Sequence, residues 1–598
     1  VTIAPERPRQ ALDLDRAVER ATARLFELQH PDGWWVGELE SNATMIAQHL
    51  FWHHFLGLRT PELDRKIANE LLARRRDDGT WSIWFDGPGD LSTTIEAYVA
   101  LRLTGVDAGD ATRDFIRRRG GVPRSRVFTK CFLALLGQWP WHLIARVPPE
   151  VILLPPDGPF SVYNFACWAR QTVVPLSVVQ ALRPVRPVPF DLLEIGARPA
   201  PVKAGPRPGP LRRVAFATAE RWVRDRQEAD GSWGGIQPPW VWSIVMLAAL
   251  GYGLDDPTLG AAVEGWRGFT IDEGDRLRPE ACQSPVWDTA LAVIALRDAG
   301  VPADDPRLRR AGEWLLAEEV RVRGDWSIRR PQLEPGGWAF EFDNDLYPDV
   351  DDTAVVALAL RMLGLGADAV ERGLAWTAGM QSRSGGWGAF DVDNEAHWLY
   401  KLPFCDFGKV TDEPSADVTA HALEALAPVH AYAREVERGL EWLLAEQESD
   451  GSWFGRWGVN HVYGTGAALP ALAACGVGRD DPAVRRAVRW LDSVQQESGA
   501  FGEDIRSYSE ARMRGRGPAT PSQTAWALLG YVAAGEAESD AARRAAHWLC
   551  IVQRSNGDWD EQHYTGTGFP LDFMIRYHLY RLHFPLMALG RLRERLGA

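Results

Sequence analysis

The run Asp349-Val350-Asp351-Asp352, followed by Thr353 and Ala354, places three carboxyl groups at the start of an apolar stretch that continues to Leu363. Pro348 and the Asp residues are types that begin helices, and a helix start offers unpaired N–H donors to a carboxylate. Such donors strengthen the acid, whereas neighbouring carboxylates weaken it. A carboxyl that is both protonated and strongly acidic therefore needs a cationic or hydrogen-bonding partner from elsewhere in the chain. An acidic run has two other uses, a solvated helix face and a Mg²⁺ site that holds a diphosphate. The surroundings favour the acid. Gly336-Gly337-Trp338-Ala339-Phe340-Glu341-Phe342 lies just upstream and is dense in aromatic rings. Aromatic faces stabilise cations, as carbocation chemistry requires. A metal–diphosphate site would ask for oxygen ligands and basic partners instead.

The elements that must position this motif are announced by a repeat: an apolar helix ending in Gln, three residues, then Gly-x-Trp. It occurs at Gln29-Gly33-Trp35, Gln227-Gly231-Trp233, Gln381-Gly385-Trp387, Gln447-Gly451-Trp453 and Gln553-Gly557-Trp559. Two copies are altered, with Arg75 in place of Gln before Gly79 and Trp81, and Phe501 in place of Trp after Gln495 and Gly499. A degenerate eighth is expected at Gly324-Asp325-Trp326. In each, the Gly ends a helix, and the Trp is expected to stack on the Gln amide or cap the next helix. Helical runs follow the repeats, for example at 93–103, 286–299, 416–426 and 520–534. Helix pairs that cannot bury their faces alone must stack or close into a ring. The reading is an all-α protein built of α/α barrels, with the proline-rich segment 183–210 as a surface excursion.

Composition sets outer limits. A chain of 598 residues has room for two or more large cores. A net charge of −14 argues against general nucleic-acid binding. The cysteines at 131, 167, 282, 405, 475 and 550 are scattered singly, and read as reduced thiols of a cytosolic protein. Residues 1–16 lack a signal-peptide core. Apolar runs such as 241–254 fall short of a bilayer span, which leaves contact with one leaflet open.

With these motifs the chain resembles the class II triterpene cyclases, specifically the squalene–hopene cyclases, over nearly its whole length. The resemblance rests on residues 349–354, the Gln/Trp repeats and Gly234-Gly235-Ile236-Gln237-Pro238-Pro239-Trp240. Further blocks are Ser284-Pro285-Val286-Trp287-Asp288-Thr289, Pro403-Phe404-Cys405-Asp406-Phe407-Gly408, Asp417-Val418-Thr419-Ala420-His421 and Tyr564-Thr565-Gly566-Thr567-Gly568-Phe569-Pro570. It implies two α/α barrels: residues 1–15 with 288–598, and an inserted 16–287. It also implies protonation of a terminal alkene of squalene, ring closures through carbocations, and quenching by deprotonation or water to give hopene or hopanol. No metal or organic cofactor is implied. A membrane-facing channel mouth, a monotopic location on the cytoplasmic face and a homodimer are.

By the same resemblance, Asp351 is the proton donor, Asp349 and Asp352 share its charge and orient it, His421 strengthens it, and Tyr463 belongs to a water-linked route that restores the proton. Outside the motif, a lone His on a helix face is more often structural, and aromatics in helical proteins are mostly core. The cation-stabilising wall would be Trp168, Trp287, Phe340, Phe390, Trp457, Phe569, Phe573, Tyr577 and Tyr580. Phe165, Val173, Phe404 and Cys405 resemble a channel constriction, with simple packing as the competing reading. Glu96, Arg126 and Gln237 match polar groups of the quenching end.

The chain departs from the family pattern in three places. Phe390 stands where many relatives carry Tyr, so the ring remains without its hydroxyl. Gln48 replaces a Glu and Glu341 replaces a Gln, so that side chains in contact would keep a carboxylate–amide pair with reversed polarity. These departures keep a same-fold cyclase of another linear or partly cyclised polyprenyl chain in view. A zinc-dependent prenyltransferase would need an Asp/Cys/His ligand set and a basic diphosphate pocket, which the scattered cysteines do not offer. A helical-repeat scaffold without catalysis is the remaining alternative.

Overall fold

The computed structural model describes residues 13–200, 205, 208–406 and 408–597. Residues 1–12 of the N-terminal segment, 201–204, 206 and 207 of the proline-rich segment, and Phe407 lie outside the described residues.

Six helices form the inner ring of one α/α barrel: Pro285–Asp298, Val350–Leu363, Ala416–Leu426, His461–Ala474, Pro521–Ala533 and Tyr580–Leu596. Each packs on the next and the last returns to the first. They are apolar nearly all round because both faces are covered; Pro285–Asp298 buries every residue from Pro285 to Leu296. The outer helices carry a single apolar stripe, as in Pro482–Val494, where Val484, Ala487, Val488 and Leu491 are buried. The remaining outer helices are Leu14–Glu27, Pro306–Ala317, Ala367–Gly379, Ala433–Ala445 and Asp540–Val552. A second barrel holds inner helices Ala43–Leu56, Leu91–Leu103, Val127–Leu135, Cys167–Leu182 and Gln237–Leu250. A three-stranded sheet, Gly566–Phe569 and Phe573–Tyr577 with Leu39–Glu40 at its edge, is the main departure from helix.

Residues 14–39 share the core of the six-helix barrel with 281–592. The N-terminal contribution to that barrel therefore runs past the expected residue 15, because the apolar face of Leu14–Glu27 packs on Tyr580–Leu596. The described part of the proline-rich segment is also less superficial than expected. Its N–H groups at Arg186, Val188 and Ala200 bond to the carbonyls of Leu135, Leu136 and Gly137, and Leu192 and Ile195 are buried.

The repeat works differently from the expected stacking. Gln447 Nε2 donates to its own turn at Gly451 O and to Ala483 O in the first turn of the next outer helix, each at 2.9 Å. Gln381, Gln495, Gln553, Gln29 and Gln227 do the same toward Glu435, Ala541, Ala17, Arg307 and Thr258. The Trp hydrogen bonds go elsewhere. Trp453 Nε1 bonds back to Leu443 O of the preceding helix at 2.7 Å, and its backbone N–H donates to Thr465 of the following inner helix. Gly451 has φ +102° and packs on Arg486, so no side chain fits there. The same criteria correct the eighth copy. Trp338, not Trp326, bonds to Leu315 O and to Thr353; an excursion between Leu315 and Gly336 had separated the Trp from its helix.

Gln553 closes the ring, bonding Ala17 O at 2.9 Å and accepting from Arg20 at 2.6 Å. Gln553→Ala is expected to cost about 1–3 kcal/mol, because the buried carbonyls lose their donor. Thermal unfolding checks this; an unchanged melting temperature would mean the staple adds nothing to closure.

Candidate active site

Asp349 is the N-cap of Val350–Leu363, its carboxylate accepting the Asp352 N–H at 2.7 Å. The helix start thus fixes the tetrad and turns Asp351 toward His421 on the neighbouring helix Ala416–Leu426. His421 Nδ1 lies 2.5 Å from Asp351 Oδ1. Burial opposes charge on the imidazole, but the Asp351 carboxylate, with Glu424 and Asp417 behind it, outweighs burial and lifts the His421 pKa to about 9. Burial, then the nearby Asp351 charge, raises Asp349 to about 7, against the hydrogen bond from Asp352. Burial and the Asp349 and Asp351 carboxyls push Asp352 well above the usual range. The cluster therefore sheds negative charge around one carboxyl that is hydrogen-bonded to an imidazolium.

A pH dependence follows. The His421 pKa is raised, so its charge and its pairing with Asp351 are fully present below the ordinary histidine range. They are lost as pH rises through about 9. Turnover is expected to fall on an alkaline limb near that value, measured as a pH–rate profile. A rate flat through this region would remove the imidazolium from the chemistry.

Asp349, Asp351 and Asp352 open on a cavity between the barrels, walled by aromatic rings. Trp287 comes from Pro285–Asp298, its centroid 6.0 Å from the His421 ring, and its Nε1 donates to Tyr580 Oη at 3.0 Å. Tyr580 stacks on Tyr577 at 4.2 Å, and Phe340 meets Tyr577 edge-on. Farther along, Trp168 meets Phe390, Trp457 and Phe569 at about 6 Å each, and Phe569 meets Phe573. Tyr463 lines the cavity as well, packed on Trp526. A carboxyl paired with an imidazolium beside a cavity rich in aromatic rings has the groups to protonate an alkene and hold the resulting cations.

Comparison with known proteins decides the family. Residues 283–594 match the squalene-hopene cyclase C-terminal domain, and residues 18–208 and 202–275 match its N-terminal domain. A squalene–hopene cyclase of Alicyclobacillus acidocaldarius is 45% identical, with 98% of each chain covered. The chain belongs to the squalene–hopene cyclase family. Other relatives are a squalene–hopene cyclase of Zymomonas mobilis, 39% identical over 97% of this chain and 96% of its own, and a dammaradiene synthase of Dryopteris crassirhizoma, 38% identical over 98% and 94%. The ent-copalyl diphosphate synthase of Streptomyces platensis superposes with a TM-score of 0.53 over 96% of this chain and 99% of its own, at 18% identity. That likeness is one of fold.

In this squalene–hopene cyclase family member the polar residues Gln48, Glu96, Arg126, Gln237 and Glu341 also line the cavity. The altered pair is not joined. Gln48 donates to Glu96 at 2.8 Å, whereas Glu341 accepts from the Gln283 N–H at 2.8 Å. Each substituted side chain has found its own partner, so a reversed carboxylate–amide pair does not form between them. Burial raises Glu96 to about 7, against hydrogen bonds from Thr129 and Gln48. Phe165, Val173, Phe404 and Cys405 stand apart from the cavity lining, in an apolar cluster that shares Trp168 with it; Phe165 and Phe404 lie 6.2 Å apart.

Positioning residues were less visible in the sequence. Asp412 accepts the N–H groups of Ala389, Phe390 and Asp391 and so fixes Phe390. Asp417 accepts from Arg456 N and Trp457 N and so fixes Trp457. Asp417 opens the block that ends in His421, a signal that pointed to the region without revealing this task.

Proposed function

We propose that this protein cyclises squalene by protonation, forming hopene, hopanol or both. The observation that carries the reading is the Asp351–His421 pair at the head of the aromatic cavity. Asp351 gives its proton to the terminal alkene, and the new tertiary cation is attacked by the next double bond, and so on along the folded chain. Asp349 and Asp352 orient the donor. His421 holds it as a strong acid, and Tyr463 belongs to the route by which Asp351 is reprotonated. The rings of Trp168, Trp287, Phe340, Phe390, Trp457, Phe569, Phe573, Tyr577 and Tyr580 hold the substrate prefolded and stabilise successive cations.

A second reading has a specific observation behind it. Phe390 lacks a hydroxyl at the wall, which favours a partly cyclised product or another polyprenyl substrate. Incubating detergent-solubilised protein with squalene and analysing the extract by gas chromatography–mass spectrometry tests both. Pentacyclic products support the first reading, and partly cyclised ones the second. No turnover would rule out squalene as substrate.

Squalene resides in the bilayer, so the protein is expected to dock on one leaflet. No helix among the described residues is long and apolar enough to cross a membrane. Phe160, Leu154, Leu211 and Val214 are exposed, at 64%, 42%, 62% and 55%. Leu154 and Phe160 follow the segment Pro149–Leu153 in the chain, Leu211 and Val214 lie on Pro210–Arg224, which packs on that segment, and Phe160 meets the exposed Trp398 at 5.4 Å. The Phe165–Phe404 cluster follows directly in both chain segments and would form the channel constriction. Co-sedimentation with phospholipid vesicles checks this: the protein is expected to pellet, and Phe160→Asp with Leu211→Asp to stay in the supernatant. A monotopic location on the cytoplasmic face and a homodimer complete the proposal.

A further inference from the structure

Two cavities meet at one side chain. Glu341 lines the reaction cavity beside Phe340, and it also lines a second cavity bounded by Asp230, Gly268, Gln283 and Asp343. This second cavity lies in the seam between the barrels and has a solvated rim, where the Glu264 and Arg267 side chains are 69% and 79% exposed. Glu341 itself is 5% exposed. One of its oxygens accepts the Gln283 N–H; the other, Oε2, has no hydrogen-bond partner.

The orphaned oxygen is one of a row. Gln171 Oε1, Gln237 Oε1 and Asn344 Oδ1 also line the reaction cavity, buried and without partners. The glycine pair 234–235 ties the row together. A Cβ on Gly234 would lie 2.6 Å from the Gln171 amide, and one on Gly235 would lie 2.2 Å from Glu341 Cγ. Four buried oxygens along one wall lack hydrogen-bond partners, and an unmet buried polar atom is costly. A water molecule supplies two O–H donors and two lone pairs, and so can bridge several such groups. The other polar side chains Gln48, Glu96 and Arg126 already have partners, in each other, Thr129 and Asp90, so the wall of unmet oxygens is where water would be held.

We infer that Glu341 gates a water passage from the second cavity to the reaction cavity, along the wall formed by Gln171, Gln237 and Asn344, and that this passage delivers the water that ends the cascade. The inference rests on the cyclase function proposed above. In the last step a lone pair of the water oxygen forms the C–O bond to the terminal tertiary cation. The oxonium proton passes along the water row to the Asp230 or Asp343 carboxylate in the second cavity, and an alcohol remains. Burial raises both aspartates above the usual carboxylate range, which suits an acceptor. Burial likewise pushes the Glu341 carboxyl well above the usual carboxylate range, which disfavours an anion at the gate.

Gly268→Trp tests the passage from the far side. Gly268 is an exposed residue of the second cavity's lining, and a Cβ there meets nothing within 4 Å, so the substitution is accommodated and obstructs the cavity mouth away from the substrate. Glu341→Leu tests it at the gate. Each variant is incubated with squalene, and alcohol and hydrocarbon products are quantified by gas chromatography–mass spectrometry. The alcohol fraction is expected to fall by about threefold or more in both, with consumption of squalene by Gly268→Trp within about twofold of the unaltered protein. An unchanged alcohol fraction in Gly268→Trp overturns the passage, as does an unaltered protein that makes cyclic hydrocarbon and no alcohol. Absence of any cyclic product from the unaltered protein overturns the function beneath it, a separate and recognisable outcome.

Discussion

Asp351→Asn is expected to lower squalene turnover by about 10⁴-fold while the melting temperature stays near that of the unaltered protein. The amide has the shape of the carboxyl and can still accept from His421 Nδ1, now 2.5 Å from Asp351 Oδ1, but it has no comparably acidic proton to give. An alkene is a very weak base, and the cavity excludes competing acids from solvent. The fold should tolerate the change, because an amide at this position cannot ionise against Asp349 and Asp352. The substitution also removes the charge that lifts the His421 pKa to about 9, so the variant's imidazole should titrate lower. Single-turnover product analysis together with thermal unfolding checks this. Full activity in a folded variant would take Asp351 out of the mechanism.

Arg170→Met is expected to cost about 3–5 kcal/mol of stability, the largest single loss anticipated outside the hydrophobic core. Arg170 belongs to Cys167–Leu182 of one barrel, and its side chain is 1% exposed. It binds Asp325 at 2.8 Å and Asp391 at 3.0 Å, both contributed by the other barrel. Although buried, Asp325 is held below the usual carboxylate range by Arg170 and Arg226. Methionine fills much of the space but leaves one partner carboxylate, Asp391, without its guanidinium. Asp391 also accepts the Cys167 N–H at 3.0 Å, so the wall carrying Trp168 and Phe390 should loosen with the seam. Denaturant unfolding measures the loss. A cost within about 1 kcal/mol would mean that packing, not this network, joins the barrels.

How much of this was legible in the sequence depended on the reach of each interaction. The acid motif was readable because a helix start is local: Asp349 caps a turn whose N–H lies three residues on. The repeat was visible as a pattern, but its purpose was not. The Gln partner sits in the neighbouring repeat of the ring, from 31 residues away for Gln227 to 536 for Gln553. The degenerate copy was placed on Trp326 because spacing from the nearest Gly favoured it. Only the bond from Trp338 to Leu315, 23 residues back, identifies the true member. Composition could not show that Gln48 and Glu341 find separate partners, since each partner comes from another segment, Glu96 and Gln283. The Arg170 network joins positions 155 and 221 residues apart and carries no sequence signature.

Running the reaction in D₂O tests the central claim most directly. If Asp351, 13% exposed and able to exchange with solvent, initiates the cascade, each cyclised molecule should carry one deuterium on the ring carbon formed from the protonated alkene, seen by mass spectrometry and NMR. Cyclic product without deuterium at that carbon would contradict protonation as the initiating step.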